Sequence, residues 1–196
     1  MLQHKYNVLL FLSMYLKGSA TNWNLKVFQN PNEIYKIDCS NSNVKVHSDL
    51  TLEQPQTFKS LTVEGNIDAH DVKITDTLEY RKNLTINNGK ITTANGFGQK
   101  TNLSGTAQID NLTIEFDSPL KPTEDQPTKN KQNIYTEHPT VTLKDKSSIN
   151  TIRFINNHGY VYCDLNTKVE NVINGTIMKD KKQLQVHAIY KEASIL

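Results

Sequence analysis

The segment "SLTVEGNIDAHDVKITDTLEYRKNLTINNGKI", Ser60–Ile91, repeats a short motif in which two apolar residues flank one polar residue. Counting one earlier copy, four copies follow one another at nearly equal steps of about 11 residues. Because alternate side chains of a strand point to opposite faces, each copy predicts a short β-strand with one apolar face. The four copies are Leu50/Leu52, Leu61/Val63, Val72/Ile74 and Leu84/Ile86.

The regular step between these copies bears on the fold class. Short strands at intervals of about 8–12 residues fit an antiparallel β-sandwich, and they also fit a β-solenoid, in which the chain winds forward in stacked coils. A solenoid keeps apolar residues in phase because each coil lies on the previous one, whereas a sandwich has no such requirement. We therefore predict an all-β, irregular parallel β-solenoid (β-helix), with the antiparallel β-sandwich as the alternative. A coil of about 22 residues with two strands is one possible size.

The turns between the strands are rich in Asn and Gly. The chain holds 22 asparagines, and a glycine lies between apolar residues in "VEGNI" (63–67), "INNGKI" (86–91) and "INGTI" (173–177). Both residue types adopt positive φ readily, so they suit tight turns and the corners of a coil. "NG" between apolar residues is also typical of β-hairpins, so these turns fit either architecture.

The units "LTVEGNI" (61–67) and "LTINNGKI" (84–91) resemble repeats of bacterial β-solenoid proteins, both secreted adhesin-type chains and the bactofilins. The resemblance covers about residues 44–116. A bactofilin-like chain would be a small right-handed solenoid that assembles into filaments through its open ends. The resemblance transfers no catalytic residues.

Patterning and composition divide the chain into five parts. Apolar-polar-apolar copies recur after a break that is rich in proline, so two patterned blocks are predicted. The parts are a signal peptide (1–20), a lead-in that could cap the first coil (21–43), a β-solenoid block (44–116), a proline-rich loop (117–139) and a second β block with a C-terminal tail (140–196).

The first 20 residues, "MLQHKYNVLLFLSMYLKGSA", are typical of a secretory signal peptide. A short start with Lys5 precedes an apolar run from Val8 to Leu16, and small residues end the segment at Ala20. The alternative is a buried N-terminal strand or helix. We expect a secreted or periplasmic bacterial protein after removal of residues 1–20.

Composition narrows the possible partners. The net charge is +2 and both signs are mixed along the chain, so no basic stripe indicates a nucleic-acid partner. The pattern predicts no cofactor and no metal. Possible partners are a carbohydrate, another surface protein, or a second copy bound through the ends of the solenoid, where strand edges are unpaired.

Catalytic motifs are absent from the sequence, so catalytic residues are unknown and enzymatic activity is uncertain, more likely absent. "DAHD" (Asp68–Asp71) places one histidine between two carboxylates, with Asp68 and His70 on one strand face. A carbohydrate-active enzyme on a β-helix, a polysaccharide lyase or hydrolase, is the alternative function, and it would need clustered carboxylates. The candidates in the first block are Asp68, Asp71, Asp76, Glu79, Asp110 and Glu115.

Two cysteines, Cys39 and Cys163, complete the set of residues with possible chemistry. An oxidising compartment would allow a disulfide between them, and the alternative is two separate buried thiols. Together these observations predict an exported, non-enzymatic β-solenoid that serves as a structural or adhesin-like binding module at a surface or in the periplasm.

Overall fold

A computed structural model describes residues 25–116 and 138–179. These residues form fourteen β-strands and one short 3-10 helix, Pro31–Lys36. The strands are β1 (Leu25–Phe28), β2 (Asn43–Val46), β3 (Leu50–Leu52), β4 (Gln56–Phe58), β5 (Ser60–Val63), β6 (Ile67–Tyr80), β7 (Leu84–Gly96), β8 (Lys100–Ser104), β9 (Gln108–Glu115), β10 (Thr140–Leu143), β11 (Ser148–Ile155), β12 (Gly159–Cys163), β13 (Lys168–Ile173) and β14 (Gly175–Lys179).

All strand pairings in the described residues are parallel, and the chain winds forward as a β-solenoid of about 8 turns. The predicted fold class is confirmed, and the antiparallel β-sandwich is wrong. Each coil has three sides. Side A contains β1, β2, β5 and the C-terminal parts of β6, β7, β9, β11 and β13. Side B contains β3, the first parts of β6 and β7, β8, β10, β12 and β14. Side C contains β4, the middle parts of β6 and β7, and the first parts of β9, β11 and β13.

The length of a coil is shorter than the size suggested above. Val44 pairs with Leu61, and Leu50 pairs with Ile67, so one coil takes about 17 residues and three strands. The motif copies at Leu50 and Leu84 lie two coils apart on side B, because both pair with Ile67. The two copies between them lie on the other sides, Leu61 on side A and Val72 on side C. A stack therefore forms, but successive motif copies point into it from different sides.

Stacked columns of buried side chains from all three sides fill the interior. Leu61, Val72 and Leu84 are at most 1% exposed, so the three successive motif copies share one interior. Burying one such side chain stabilises the fold by about 1.5–3 kcal/mol. One such column from each side consists of Val44, Leu61, Leu78, Ala94, Leu112 and Ile152 on side A; Leu50, Ile67, Leu84, Thr101, Val141 and Val161 on side B; and Phe58, Ile74, Ile91, Ile109 and Ile149 on side C.

One polar pair interrupts this apolar interior. The Tyr80 hydroxyl lies 2.6 Å from Thr101 Oγ1, and both side chains are fully buried. Burial raises the pKa of Tyr80 above its usual range, so the phenol stays protonated. The ring fits because the next residue in its column is Gly96, where an added Cβ would lie 2.2 Å from Tyr80 Cζ.

The corner between sides B and C explains part of the asparagine and glycine content. Four successive coils place a residue with positive φ there, and each belongs to a type that tolerates this backbone conformation. Side-chain oxygens join neighbouring levels, since Thr106 N donates to Asn88 Oδ1 at 2.9 Å and Gly105 N donates to Asp145 Oδ2 at 2.9 Å. The four residues are Asp71, Asn88, Gly105 and Asp145.

The second β block continues the first as a single solenoid. Val141 of β10 pairs with Thr101 of β8, and Ile149 of β11 pairs with Ile109 of β9. The chain between Phe116 and His138 is therefore inserted at the corner between sides A and B without a change in the stacking. Most of the predicted proline-rich loop (117–137) and the predicted signal peptide (1–20) lie outside the described residues.

The lead-in lies against the first strand of side B. Pro31 begins the 3-10 helix, and the Asn30 side chain accepts a hydrogen bond from Asn32 N at its start. The Tyr35 hydroxyl donates to Thr51 O at 2.6 Å and accepts from Glu53 N at 3.2 Å. These bonds satisfy backbone groups on the edge of β3 that faces away from β6, so part of the lead-in caps side B at this end.

Candidate functional site

The most distinctive surface lies on side B near the C-terminal end. In β12, "GYVYC", Val161 and Cys163 point into the interior, and Tyr160 and Tyr162 point outward. Tyr162 is 44% exposed, and its in-register neighbour in β14, Met178, is 45% exposed. We call Tyr160, Tyr162 and Met178, with the flanking His138 and His158, the aromatic face.

Two imidazole rings pack against the ring of Tyr160. The His138 ring centroid lies 5.3 Å from that of Tyr160 and the His158 centroid lies 5.6 Å away, both in edge-to-face geometry. This arrangement is favourable for aromatic pairs beyond the area that it buries. His158 Nε2 contacts Thr176 Oγ1 at 2.8 Å, and His138 Nδ1 donates to His158 O at 3.1 Å. The Tyr160 ring is therefore positioned before any ligand arrives.

Two glycines, one on β12 and one on β14, make room for the ring of Phe154. A Cβ on Gly159 would lie 2.2 Å from Phe154 Cδ1, and a Cβ on Gly175 would lie 2.6 Å from Phe154 Cε2. Because both positions are glycine, the Phe154 ring fills the interior between β12 and β14. The inner surface of β12 therefore packs against Phe154, and its tyrosines lie on the opposite, outward face.

The five residues of the aromatic face include no carboxylate, and the next acidic residue along the chain is Asp164, two residues after Tyr162. On the strands next to β12, the outward residues in register with the two tyrosines are mostly threonines. The following strand, β8, adds a lysine and an asparagine at the same positions. Neighbouring outward residues of a strand are about 6.6 Å apart, and neighbouring strands are about 4.8 Å apart. The result is a surface with two aromatic rings and several hydrogen-bonding groups. The polar residues are Thr140, Thr142 and Thr176, with Lys100 and Asn102 on β8.

The sequence analysis did not select these residues. The signal was present, because the motif at Val161/Cys163 fixes which residues of β12 point inward, and the remaining two are both tyrosine. The two histidines are separated by a whole coil in the sequence, and only the winding of the chain brings both against Tyr160.

The "DAHD" segment lies within β6, and its polar side chains are exposed while Ala69 is buried. Asp68 and His70 point outward on side B, as predicted, and Asp71 adopts φ of 51° at the corner between sides B and C. His70 Nδ1 lies 3.2 Å from Asn87 Nδ2 of the next coil. Among the described residues no three His, Cys, Asp or Glu side chains are grouped so that they could hold a metal ion.

The six carboxylates considered for catalysis lie on different parts of the solenoid. Asp68 is on side B, Glu79 and Glu115 are on side A, and the other three lie at corners. Asp76 accepts hydrogen bonds from the hydroxyls of Ser60 and Thr77. The cluster of acidic residues that the polysaccharide lyase or hydrolase alternative requires is not found among residues 25–116 and 138–179.

A different acidic residue has the clearest electrostatic environment. Glu64 accepts from His47 Nδ1 at 2.7 Å and from Lys45 Nζ at 2.9 Å. The hydrogen bond from His47 and then that from Lys45 lower the pKa of Glu64 to about 2. All three side chains are over one third exposed, so this is a surface ion-pair cluster.

Cys39 and Cys163 are both free and buried. Five rungs separate Cys163 from Leu52, at roughly 4.8 Å each. Cys39 lies in the coil before Leu52, and a disulfide needs Cα atoms within about 7 Å. The arrangement therefore fits the alternative of two separate thiols. Burial raises the pKa of both, which disfavours the reactive thiolate.

No protein-family model matches the sequence, and no curated protein or solved structure is significantly similar to it. The β-solenoid arrangement is therefore established by the strand register alone, without assignment to a particular family. In the part of the chain that the structure describes, no helix has both the length and the apolar character needed to cross a bilayer.

Proposed function

We propose that this chain is an exported, non-enzymatic β-solenoid that acts as an adhesin-like binding module at a bacterial surface or in the periplasm. The observation that carries the proposal is the aromatic face, where Tyr162 and Met178 are almost half exposed on a flat strand surface. Contiguous exposed apolar groups on a soluble protein commonly mark an interaction site, and tyrosine is enriched at such sites.

The chemistry of the aromatic face favours a neutral carbohydrate as the ligand. A tyrosine ring offers a flat apolar surface with a polar tip, which suits stacking against the C–H face of a sugar ring. The hydroxyls of Thr142 and Thr176 and the amide of Asn102 can exchange hydrogen bonds with sugar hydroxyls. The parallel strands of this surface suit a linear polysaccharide that lies across several of them.

Affinity electrophoresis of the full chain through gels that contain neutral polysaccharides tests the proposal. We expect retardation by at least one of them, with Tyr160→Ala and Tyr162→Ala each weakening binding about tenfold, as for a central interface residue. Ile173→Ala is the matched control, because Ile173 is 42% exposed on side A and its loss should leave binding unchanged. Absence of retardation, or an equal effect of the control, would contradict the carbohydrate ligand. If a protein binds in place of the polysaccharides, and this binding depends on the tyrosines, the ligand is a protein and the carbohydrate proposal is wrong.

Export is supported by the sequence of residues 1–20, which lies outside the described residues. A fusion of these residues to a reporter that is active only outside the cytoplasm should give activity in a bacterial host. Leu10→Arg, which breaks the apolar run, should abolish it. N-terminal sequencing of the exported chain should begin at Thr21. A cytoplasmic chain that retains Met1 would contradict export without affecting the binding proposal.

A further inference from the structure

Two lysines on side C lie next to each other in neighbouring coils. Lys73 of β6 and Lys90 of β7 are in register, and both side chains are exposed. Among the paired positions of the described strands, only this one holds two charged residues; every other charged side chain there has a neutral neighbour in register. Like charges directly opposite each other on neighbouring strands destabilise a sheet. An anion bound between the two lysines removes this repulsion.

The charge of this lysine pair is not neutralised by the described part of the chain, because neither lysine belongs to an ion pair there. The next residues in the same column are uncharged, Thr57 in the coil before Lys73 and Gln108 in the coil after Lys90. Neighbouring strands are about 4.8 Å apart, and charge-assisted hydrogen bonds to an oxyanion are about 2.7–2.9 Å long. Both ammonium groups can therefore contact the oxygens of a single oxyanion.

The two lysines line a surface depression of about 450 Å³ near the corner between sides B and C. Gly89 also lines the depression, and its φ of 126° is a conformation that glycine adopts far more readily than other residues. A Cβ added to Gly89 would lie 2.2 Å from Val72 O, so no larger residue fits there unless the backbone moves. The backbone of this corner therefore keeps the depression open beside the lysines.

The remaining polar groups of the depression suit a ligand that carries hydroxyls as well as charge. Thr106 Oγ1 donates to Asn88 Oδ1 at 3.2 Å, which leaves its lone pairs available as acceptors. Gln108 carries an amide that both donates and accepts, and Asp71 accepts only. Two ammonium groups and the Asp71 carboxylate together leave a single positive charge, which matches a group with one negative charge. The neutral donors and acceptors around it favour an acidic sugar over a simple anion.

We propose that Lys73 and Lys90 form a binding site for an acidic polysaccharide, whose singly charged group, a carboxylate or a sulfate ester, lies between the two ammonium groups. Hydroxyls of the same sugar bond to Asp71, Thr106 and Gln108. The aromatic face lies on side B, three rungs further toward the C-terminal end than the first part of β7. The lysine site is therefore separate from the aromatic face and does not depend on the ligand proposed there.

Isothermal titration calorimetry of the full chain tests the site at low ionic strength, where exposed charges are least screened. The ligands are a uronic-acid oligosaccharide, its uncharged methyl ester, a sulfated oligosaccharide and inorganic phosphate. We expect at least one acidic oligosaccharide to bind about tenfold more tightly than phosphate, and Lys73→Gln and Lys90→Gln each to weaken that binding about tenfold. The methyl ester should show no binding that depends on the lysines. The acidic oligosaccharide whose binding depends on them identifies the charged group.

Lys168→Gln is the matched control for the two lysine variants. Lys168 lies in the same column, three rungs beyond Lys90, and its loss removes the same charge, but it already pairs with Glu170. This variant should leave binding unchanged. No binding of either acidic oligosaccharide, equally tight binding of phosphate, or equal weakening by Lys168→Gln would overturn the proposed site.

Thermal unfolding without ligand provides a second, independent readout. Because the two lysines repel each other, Lys73→Gln and Lys90→Gln should raise the unfolding temperature by about 1–3 °C at low salt, and high salt should remove the difference. Gln108→Glu places a carboxylate beside Lys90, so it should also raise the unfolding temperature and weaken binding of the acidic oligosaccharide about tenfold, although both lysines remain. A lower unfolding temperature in the lysine variants, or unchanged binding in Gln108→Glu, would overturn the proposal.

Discussion

The two ends of the solenoid differ on side B. At the N-terminal end, a 3-10 helix lies beside β3, Ile34 is fully buried, and the Tyr35 hydroxyl bonds to the backbone of Thr51 and Glu53. At the C-terminal end of the described residues, Ile177 occupies an interior column but is 41% exposed. An apolar residue in register with an interior column is therefore not always buried. Each coil is covered by its two neighbours, so the last coil needs a separate structure to cover it.

The largest expected difference in the free energy of unfolding comes from truncating one isoleucine at each end. Ile34→Ala should lower the free energy of unfolding by about 2–5 kcal/mol, because it leaves a cavity in a fully packed site. Ile177→Ala should lower it by less than about 1 kcal/mol, because solvent already reaches this side chain. Urea denaturation of the full chain measures both. Equal losses would show that the two ends are equally covered in solution.

The tyrosine hydroxyls give a smaller difference. Tyr35→Phe removes two hydrogen bonds that satisfy the backbone of β3, and it should lower the free energy of unfolding by about 1 kcal/mol. Tyr162→Phe, on the exposed aromatic face, should change it by no more than about 0.5 kcal/mol. The same urea experiment measures both variants. A larger loss for Tyr162→Phe would contradict the role given to Tyr35 as a cap.

The two thiols report the same contrast through reactivity. Cys39 is 1% exposed within the N-terminal lead-in, and Cys163 is 8% exposed one coil from the C-terminal end of the described residues. Since burial raises the pKa of both, modification of the native protein requires local opening. We expect maleimide to modify Cys163 faster, by about threefold or more, as measured by peptide mass spectrometry. Faster modification of Cys39 would reverse the order of stability. Titration of the unfolded, unreduced chain should find two thiols, and their absence would indicate the disulfide.

The smallest effect concerns charge on the surface. The pKa of Glu64 is about 2 in the folded protein and near 4.5 when unfolded, so its ionised form stabilises the fold above about pH 4.5. This stabilisation disappears as the pH falls towards 2. Glu64→Gln should therefore be slightly less stable than the natural chain at pH 7 and equally stable near pH 2, as measured by thermal unfolding.

Glu170 provides the control for that experiment near the C-terminal end. Its ion pair with Lys168, at 2.7 Å, has side chains that are 49% and 71% exposed, so solvent screens the attraction. Glu170→Gln should leave the unfolding temperature unchanged at both pH values. A pH-independent loss in Glu64→Gln would show that the contacts of Glu64 matter for packing and not for charge.

The sequence predicted the strands better than the coil. Motif copies such as Leu61/Val63 and Val141/Leu143 are strands with buried flanking residues, because alternation in a strand is local. The true coil period was missed because each copy lies on a different side from the one before. A second signal was available in the equal spacing of Asp49, Asn66 and Asn83, which stack one coil apart with Asn66 N donating to Asp49 Oδ1 at 2.8 Å.

The candidate site could be predicted only in part. The phase of "GYVYC" identifies Tyr160 and Tyr162 as outward residues, but exposure also depends on what the neighbouring coils place beside them. Positions of carboxylates along the chain gave no such guide, because Asp68 and Glu79 are separated by a single motif step and yet project from different sides. The coil length decides which residues of successive coils lie next to each other. An error in that length therefore brings the wrong residues together in every predicted cluster.

The register across the insertion has a consequence for how this scaffold changes over evolutionary time. β10 continues the ladder of β8 although the whole inserted segment lies between Ser104 and Thr140, so length added at that corner is not transmitted to the rungs. Selection can therefore lengthen, shorten or exchange the inserted segment in single genetic events without compensating substitutions in the hydrophobic columns. Because Thr140 pairs with Tyr160, each exchange would deliver new sequence to the border of the aromatic face while the scaffold stays constant; under the proposed binding function, such exchanges diversify ligand preference.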